Sequence, residues 1–289
     1  MRLRLVAQAV WPAARLLPAI LLACSLHAAD APPDAKTFAL VVGISKYQKL
    51  PQDLWLQYPD ADAKSFAQHL ASGRGGSVPP DQMLLLTNEQ ATTAALHEAF
   101  RTFLKRPGKN DTVFILLAGH GTVDSQGAYI LTYDSDPQNL SGTAITMNEI
   151  QSMVENEVST AGHVVLLADV CRAATIGSLK TTELGAVVEK LGEASGEMLG
   201  LMSARPRELS LEGPEFGGGH GAFTWSVLKG LEGAADENHD GFVTAGELID
   251  FVTDDVPKLT RDKQHPRDFG NMDNATKLSD LSKPGIALE

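Results

Sequence analysis

Two short segments carry the residue types that could do chemistry. One is Ala118-Gly119-His120-Gly121-Thr122; the other is Ala168-Asp169-Val170-Cys171-Arg172. An imidazole beside a thiol raises the thiolate fraction and so makes a nucleophile with its own base. Gly119 and Gly121 let the backbone turn sharply and approach a ligand closely. The amide of Gly121, paired with that of Cys171, can donate to an oxyanion. Either residue alone is a weak signal, because a lone cysteine after an apolar strand is more often structural. Their joint occurrence makes His120 and Cys171 the candidate catalytic pair. His220, in Gly217-Gly-Gly-His-Gly221, is the weaker candidate base, on a loop that would border the site.

These residues need elements that bring them together. Phe38–Ile44, Asp111–Ala118 and His163–Asp169 are continuous apolar runs, as expected of strands buried on both faces. Gln82–Thr87 and Met198–Ser203 read as two more strands. Helical spacing marks Asp60–Ser72, Thr92–Leu104, Thr146–Val158, Phe223–Leu231 and Ala245–Val256, and Ala128–Tyr133 reads as a hairpin element. Thr146 lies three residues before Glu149, the capping-box spacing. Strands alternating with helices predict an α/β fold, a mostly parallel sheet covered on both faces. Ligands bind beyond the carboxyl ends of such strands. His120 and Cys171 both follow strands there, so they face one crevice.

Several segments in this order resemble the caspase-like cysteine peptidases, in their bacterial and metacaspase-type branch. The segments are FALVVGISKYQKL, LQYPDADAKSFAQHL, DTVFILLAGHG, VVLLADVCRAA and GAFTWSVLKGL, spread between Lys36 and Val256. The histidine stands about 50 residues before the cysteine, the spacing known for caspases. The resemblance implies a caspase-like fold and a Cys-His endopeptidase, with Cys171 as nucleophile and His120 as base. It also implies that Asp62 and Asp169 line the pocket for the substrate residue before the cut, which would then be Arg or Lys. Charge complementarity supplies the reason, since a desolvated carboxylate pair stabilises a guanidinium and bidentate pairing favours Arg. The bland reading has Asp169 orienting its loop and Asp62 capping its helix. One departure stands out: Arg172-Ala173-Ala174 replaces the His-Ser-Gly usual after a metacaspase cysteine. It supports an alternative, a catalytically inactive interaction module with structural calcium. Other hydrolases with the same dyad, of legumain or gingipain type, fit less well. Cleavage after Arg172 or Lys180 is a possible maturation step.

The segment from Asp236 to Glu247 fits the twelve-residue EF-hand loop. Asp236, Asn238, Asp240 and Thr244 supply oxygens at positions 1, 3, 5 and 9. Gly241 stands at the turn, Phe242 offers a backbone carbonyl and Glu247 closes the loop. A Ca²⁺ ion is the expected cofactor, and no organic one is implied. With no second loop to pair with, the affinity is expected to be weak.

Composition removes other classes. At 43% apolar and 21% charged residues the chain is no disordered polymer. Two cysteines make neither a disulfide scaffold nor a Cys-rich zinc module. A net charge of −12 excludes nucleic acid as the expected partner; protein or peptide substrates with basic residues are expected instead. Arg2, Arg4 and Arg15, the apolar run Leu16–Leu26 and the small residues Ala28 and Ala29 read as an export signal over residues 1–29. The run is too short to span a bilayer. The expected product is exported, periplasmic or secreted, and without a membrane span. Leu21-Leu22-Ala23-Cys24 resembles a lipobox, which would make Cys24 a lipid anchor. Either route leaves Cys171 as the sole thiol of the folded domain. Residues 30–36 read as a linker, 37–270 as the catalytic domain and 271–289 as a C-terminal tail.

Overall fold

A computed structural model describes residues 35–158, 160–172, 197–205 and 208–288. The central sheet runs β11-β7-β6-β3-β1-β2. Its strands are β1 (Thr37–Gly43), β2 (Met83–Thr87), β3 (Thr112–Val123), β6 (His163–Arg172), β7 (Glu197–Met202) and β11 (Arg267–Gly270). All neighbours along this path are parallel except β11, which runs antiparallel to β7. β4 (Ala128–Ile130) folds back on the end of β3, and β5 (Ile145–Thr146) pairs with β4.

The apolar runs are continuous because both faces of these strands are buried. Leu40, Val42, Ile115, Leu117, Val164 and Leu166 face one core. Ala39, Val41, Phe114, Leu116, Val165 and Leu167 face the other. The first core is closed by Leu96 of α2 (Thr93–Glu98), by Phe100, and by Ile150 of α4 (Met147–Met153). A short α3 (Leu140–Thr143) leads into that layer. The second core is closed by Phe66 of α1 (Pro59–Ala71), Val227 of α5 (Ala222–Lys229) and Val252 of α6 (Ala245–Leu259). Each such buried side chain contributes about 1.5–3 kcal/mol, so the two layers fix the strand register that the site depends on. The Thr146–Glu149 capping box is present, with each residue's side chain accepting from the other's amide.

Three boundaries differ from the sequence expectation. β3 and β6 run on to Val123 and Arg172, so His120 and Cys171 lie within strands and not after them. The extension exists because β4 pairs with Gly121–Val123 and β6 pairs with β3 as far as Gly121. Residues beyond 270, read from sequence as a tail, belong to the fold. There β12 (Lys277–Asp280) pairs with β10 (Phe242–Thr244), and Arg74 and Glu232 receive the last stretch. Glu232 also accepts from Arg74 and faces the buried His69 at 2.7 Å. The hairpin of β8 (Glu212–Gly213) and β9 (His220–Gly221) is the third addition. Short polar strands of this kind lack the alternation that marks longer ones. Among the described residues, no helix is long and apolar enough to cross a membrane. Residues 1–29, Cys24 and Lys180 lie outside the described residues.

Candidate active site

His120 and Cys171 are direct register partners on adjacent parallel strands. Neighbouring strands lie about 4.8 Å apart, so the two residues are backbone neighbours across the strand pair. His120 is fixed from three directions. Its N–H donates to the Tyr47 hydroxyl at 2.7 Å, and that hydroxyl donates to the Ile44 carbonyl at 2.9 Å. The Tyr47 ring stacks on the imidazole at 5.0 Å. His120 Nε2 lies 2.6 Å from the Leu54 carbonyl oxygen. A carbonyl only accepts, so Nε2 carries the proton and Nδ1 keeps its lone pair. Nδ1 is buried and has no hydrogen-bond partner among the described residues. Burial pushes the His120 pKa below its usual value, and the Leu54 contact only partly opposes this. The residue is therefore a neutral base near pH 7. Gly119 permits the arrangement, because a Cβ there would sit 2.9 Å from the Tyr47 hydroxyl oxygen.

Gly121 pairs with Ile130 on one side and Arg172 on the other. It also lines a mostly apolar cavity with Val123, Tyr129, Met147, Val170 and Met202.

The two aspartates meet at Gly221. Both are buried, and a Cβ on Gly221 would lie 2.7 Å from Asp169 Oδ2 and 3.1 Å from Asp62 Oδ2. Asp169 accepts from the Ser210 hydroxyl at 2.6 Å and from the Thr224 hydroxyl at 2.7 Å. Asp62 accepts from the Gly221 amide at 3.0 Å and lies 2.6 Å from His220 Nδ1. Burial raises the Asp62 pKa to about 7; the Asp169 charge adds to this, while His220 and the Gly221 amide oppose it. Burial likewise raises Asp169, against its hydroxyl donors. Glu212 stands nearby, raised by burial and by Asp169, with its carboxylate accepting from the amides of Gln57 and Tyr58. The reading of Asp62 as a mere helix cap is set aside, since the Tyr58 N-cap of α1 makes no side-chain cap bond and Asp62 faces the β8–β9 hairpin instead.

Four contributors were not marked in the sequence: Tyr47, the Leu54 carbonyl, Glu212 and the Ser210–Thr224 donor pair. Each acts through contacts across about 40 residues or more, which sequence spacing does not reveal. His220 was marked as bordering the site, and it sits against Asp62 rather than serving His120's position.

In the Asp236–Glu247 loop the acidic side chains bind their own backbone. Asp236 and Asn238 accept from the Asp240 amide, Asp236 also from Gly241, and Asp240 from Phe242. Gly241 takes φ +86°, as the turn requires. Glu247 Oε2 accepts from the Thr244 amide and hydroxyl in a capping box, and Oε1 is buried without a hydrogen-bond partner among the described residues. Among the described residues, no three His, Cys, Asp or Glu side chains converge as a metal requires. The donor set is that of a hard cation, and the orphaned Glu247 oxygen stands at the position that closes such a site.

A family model, the caspase domain, matches residues 36–274. No curated protein matches the sequence. Among solved structures, protein GSU0716 from Geobacter sulfurreducens is similar at 17% identity with a TM-score of 0.58, over 88% of this chain and all of that one. That likeness is one of fold.

Proposed function

The chain belongs to the caspase-domain family, and on that premise we propose that it is a cysteine endopeptidase cleaving proteins or peptides after Arg or Lys. One observation carries the reading: His120, with Nε2 held by the Leu54 carbonyl and Nδ1 without a hydrogen-bond partner among the described residues, is the register partner of Cys171. In the proposed reaction the Cys171 sulfur attacks the scissile carbonyl carbon while its proton passes to His120 Nδ1. The amides of Gly121 and Cys171 donate to the oxyanion. His120 then gives the proton to the leaving amine as the C–N bond breaks. Water, deprotonated by His120, hydrolyses the thioester and releases the thiol. A neutral His120 acts as the base at the moment of attack, and no resting thiolate–imidazolium pair is required.

Specificity rests on Asp62 and Asp169, whose carboxylates face one another across Gly221. Paired Arg- and Asp-terminated peptide reporters test it, with turnover after Arg expected and faster turnover after Asp refuting it. A thiol-directed peptidyl probe is expected to label Cys171, with no turnover in His120→Ala. Absence of labelling in folded protein would favour the interaction module.

Ca²⁺ is proposed at Asp236, Asn238, Asp240, Thr244, the Phe242 carbonyl and Glu247, supported by the orphaned Glu247 oxygen. The ion would neutralise these carboxylates and tie the start of α6 to the loop. Isothermal titration should give heat for wild type and none for Glu247→Gln; equal heats would refute the site. Export is proposed from the Leu16–Leu26 run, and mass spectrometry of the mature product would locate the processing point.

A further inference from the structure

The acidic pocket is already occupied by one of the protein's own side chains. His220 Nδ1 lies 2.6 Å from Asp62 Oδ1, and the other Asp62 oxygen is taken by the Gly221 amide. The imidazole is stacked on the Trp225 ring at 5.3 Å and 18°, which holds it flat over the pocket. It is nearly buried, with 13% of the side chain exposed. The groups around this segment come from three elements and a flanking residue: Asp62 on α1, Asp169 on β6, Glu212 on β8 and Tyr58 just before α1. Three of the four are carboxylic acids, and His220 is the sole base among them.

The segment that delivers His220 is built to be set in one place and yet to turn. Gly217, Gly218 and Gly219 have φ of +55°, +77° and +145°. At Gly217 a Cβ would overlap the Trp225 ring, and at Gly219 it would lie 2.6 Å from the Tyr58 ring. At Gly218 nothing lies within 4 Å, so the middle of the segment is open. Glycine takes these and other backbone conformations without a Cβ penalty, so the run can re-aim His220.

We infer that His220 is an internal competitor for the pocket, a resident imidazole that a substrate's Arg or Lys side chain must displace from Asp62. The inference rests on the basic-pocket reading above and names the residue that sets how strongly that pocket discriminates. Only a side chain that pairs with both Asp62 and Asp169 recovers what the lost imidazole contact gave. A guanidinium does so and a neutral side chain does not. His220 thus raises the threshold for entry without touching the reacting atoms. It is a specificity-determining residue, not a catalytic one.

The test uses the full chain and p-aminobenzamidine, an amidinium whose fluorescence rises on binding, so that no turnover is needed. His220→Ala is expected to bind the amidine roughly ten-fold more tightly than wild type, the scale of one charge-assisted hydrogen bond. His220→Arg, a permanent internal cation, is expected to bind it at least ten-fold more weakly. A purely structural role for His220 moves both variants toward weaker binding. If wild type binds and His220→Ala binds equally or less well, the competitor inference is overturned and the pocket reading survives. If neither binds while both give native circular dichroism, the basic pocket itself is refuted. His220→Gln, which keeps the size and a hydrogen-bond donor, supplies the same comparison should the alanine variant not fold.

Discussion

Replacing Asp62 by Asn should make the protein less sensitive to rising pH. The carboxyl has a pKa of about 7 in the fold against an ordinary value of 3.8. Between those two values the native state holds a proton that the unfolded chain releases. The stability tied to this group is therefore complete below pH 3.8 and lost as pH rises through about 7. Three pH units at ~1.4 kcal/mol each bound the whole effect at about 4 kcal/mol. Roughly 2.5 kcal/mol of that falls between pH 5 and pH 8. With a urea slope of about 2–3 kcal/mol per molar, the wild-type midpoint should drop by about 1 M over this interval relative to Asp62→Asn. The assay is urea denaturation of both proteins at pH 5, 6, 7 and 8. His220→Gln run alongside shows how far the neighbouring side chain contributes to the difference. Parallel midpoint-against-pH lines for wild type and Asp62→Asn would refute the reasoning, because they would mean that burial does not hold the Asp62 proton.

Tyr47→Phe removes the acceptor of the buried His120 amide. It should cost about 1–3 kcal/mol in thermal or urea stability, and unchanged stability would show that the amide finds another partner. Gly221→Ala places a methyl 2.7 Å from Asp169 Oδ2; amidine binding should fall at least ten-fold with the α/β circular dichroism retained. Because burial lowers the His120 pKa, the acid limb of kcat for an Arg reporter, measured with Asp62 already paired to the substrate, should lie below pH 6.5, and a limb above that value would contradict the neutral-base assignment.

The parts of the fold visible in the sequence are those built on long apolar runs. Phe38–Ile44 and Asp111–Ala118 are hydrophobic throughout because each lies between two helix layers. Such a run has no competing amphipathic reading once glycines bound it. The run of β3 from Gly119 to Val123 carried no such signal, for it is held by pairing with β4 and β6 and not by its own composition. His120 and Cys171 were legible by type and by the strands before them. What sets the state of His120 was not legible, because Tyr47 and the Leu54 carbonyl reach it from a loop about 70 residues away. The Asp62–Asp169 pairing rested on resemblance alone. Its geometry depends on Gly221, whose missing side chain leaves the space between the two carboxyls.

The strand pairing of β12 with β10 bears on where the chain can be shortened. The matched caspase domain stops at residue 274, before β12 begins. A protein ended there would leave Phe242–Thr244 with an open edge and Glu232 without the Ile286 amide. It would also free the Arg74 amide from the Pro284 carbonyl and leave the Leu231 carbonyl without the Ser279 hydroxyl. Residues 277–286 thus act as a clasp that joins Arg74 after α1, Leu231 and Glu232 after α5, and β10 of the acidic loop. Expression designs that stop at residue 274 would discard the clasp and be prone to aggregate at the exposed edge.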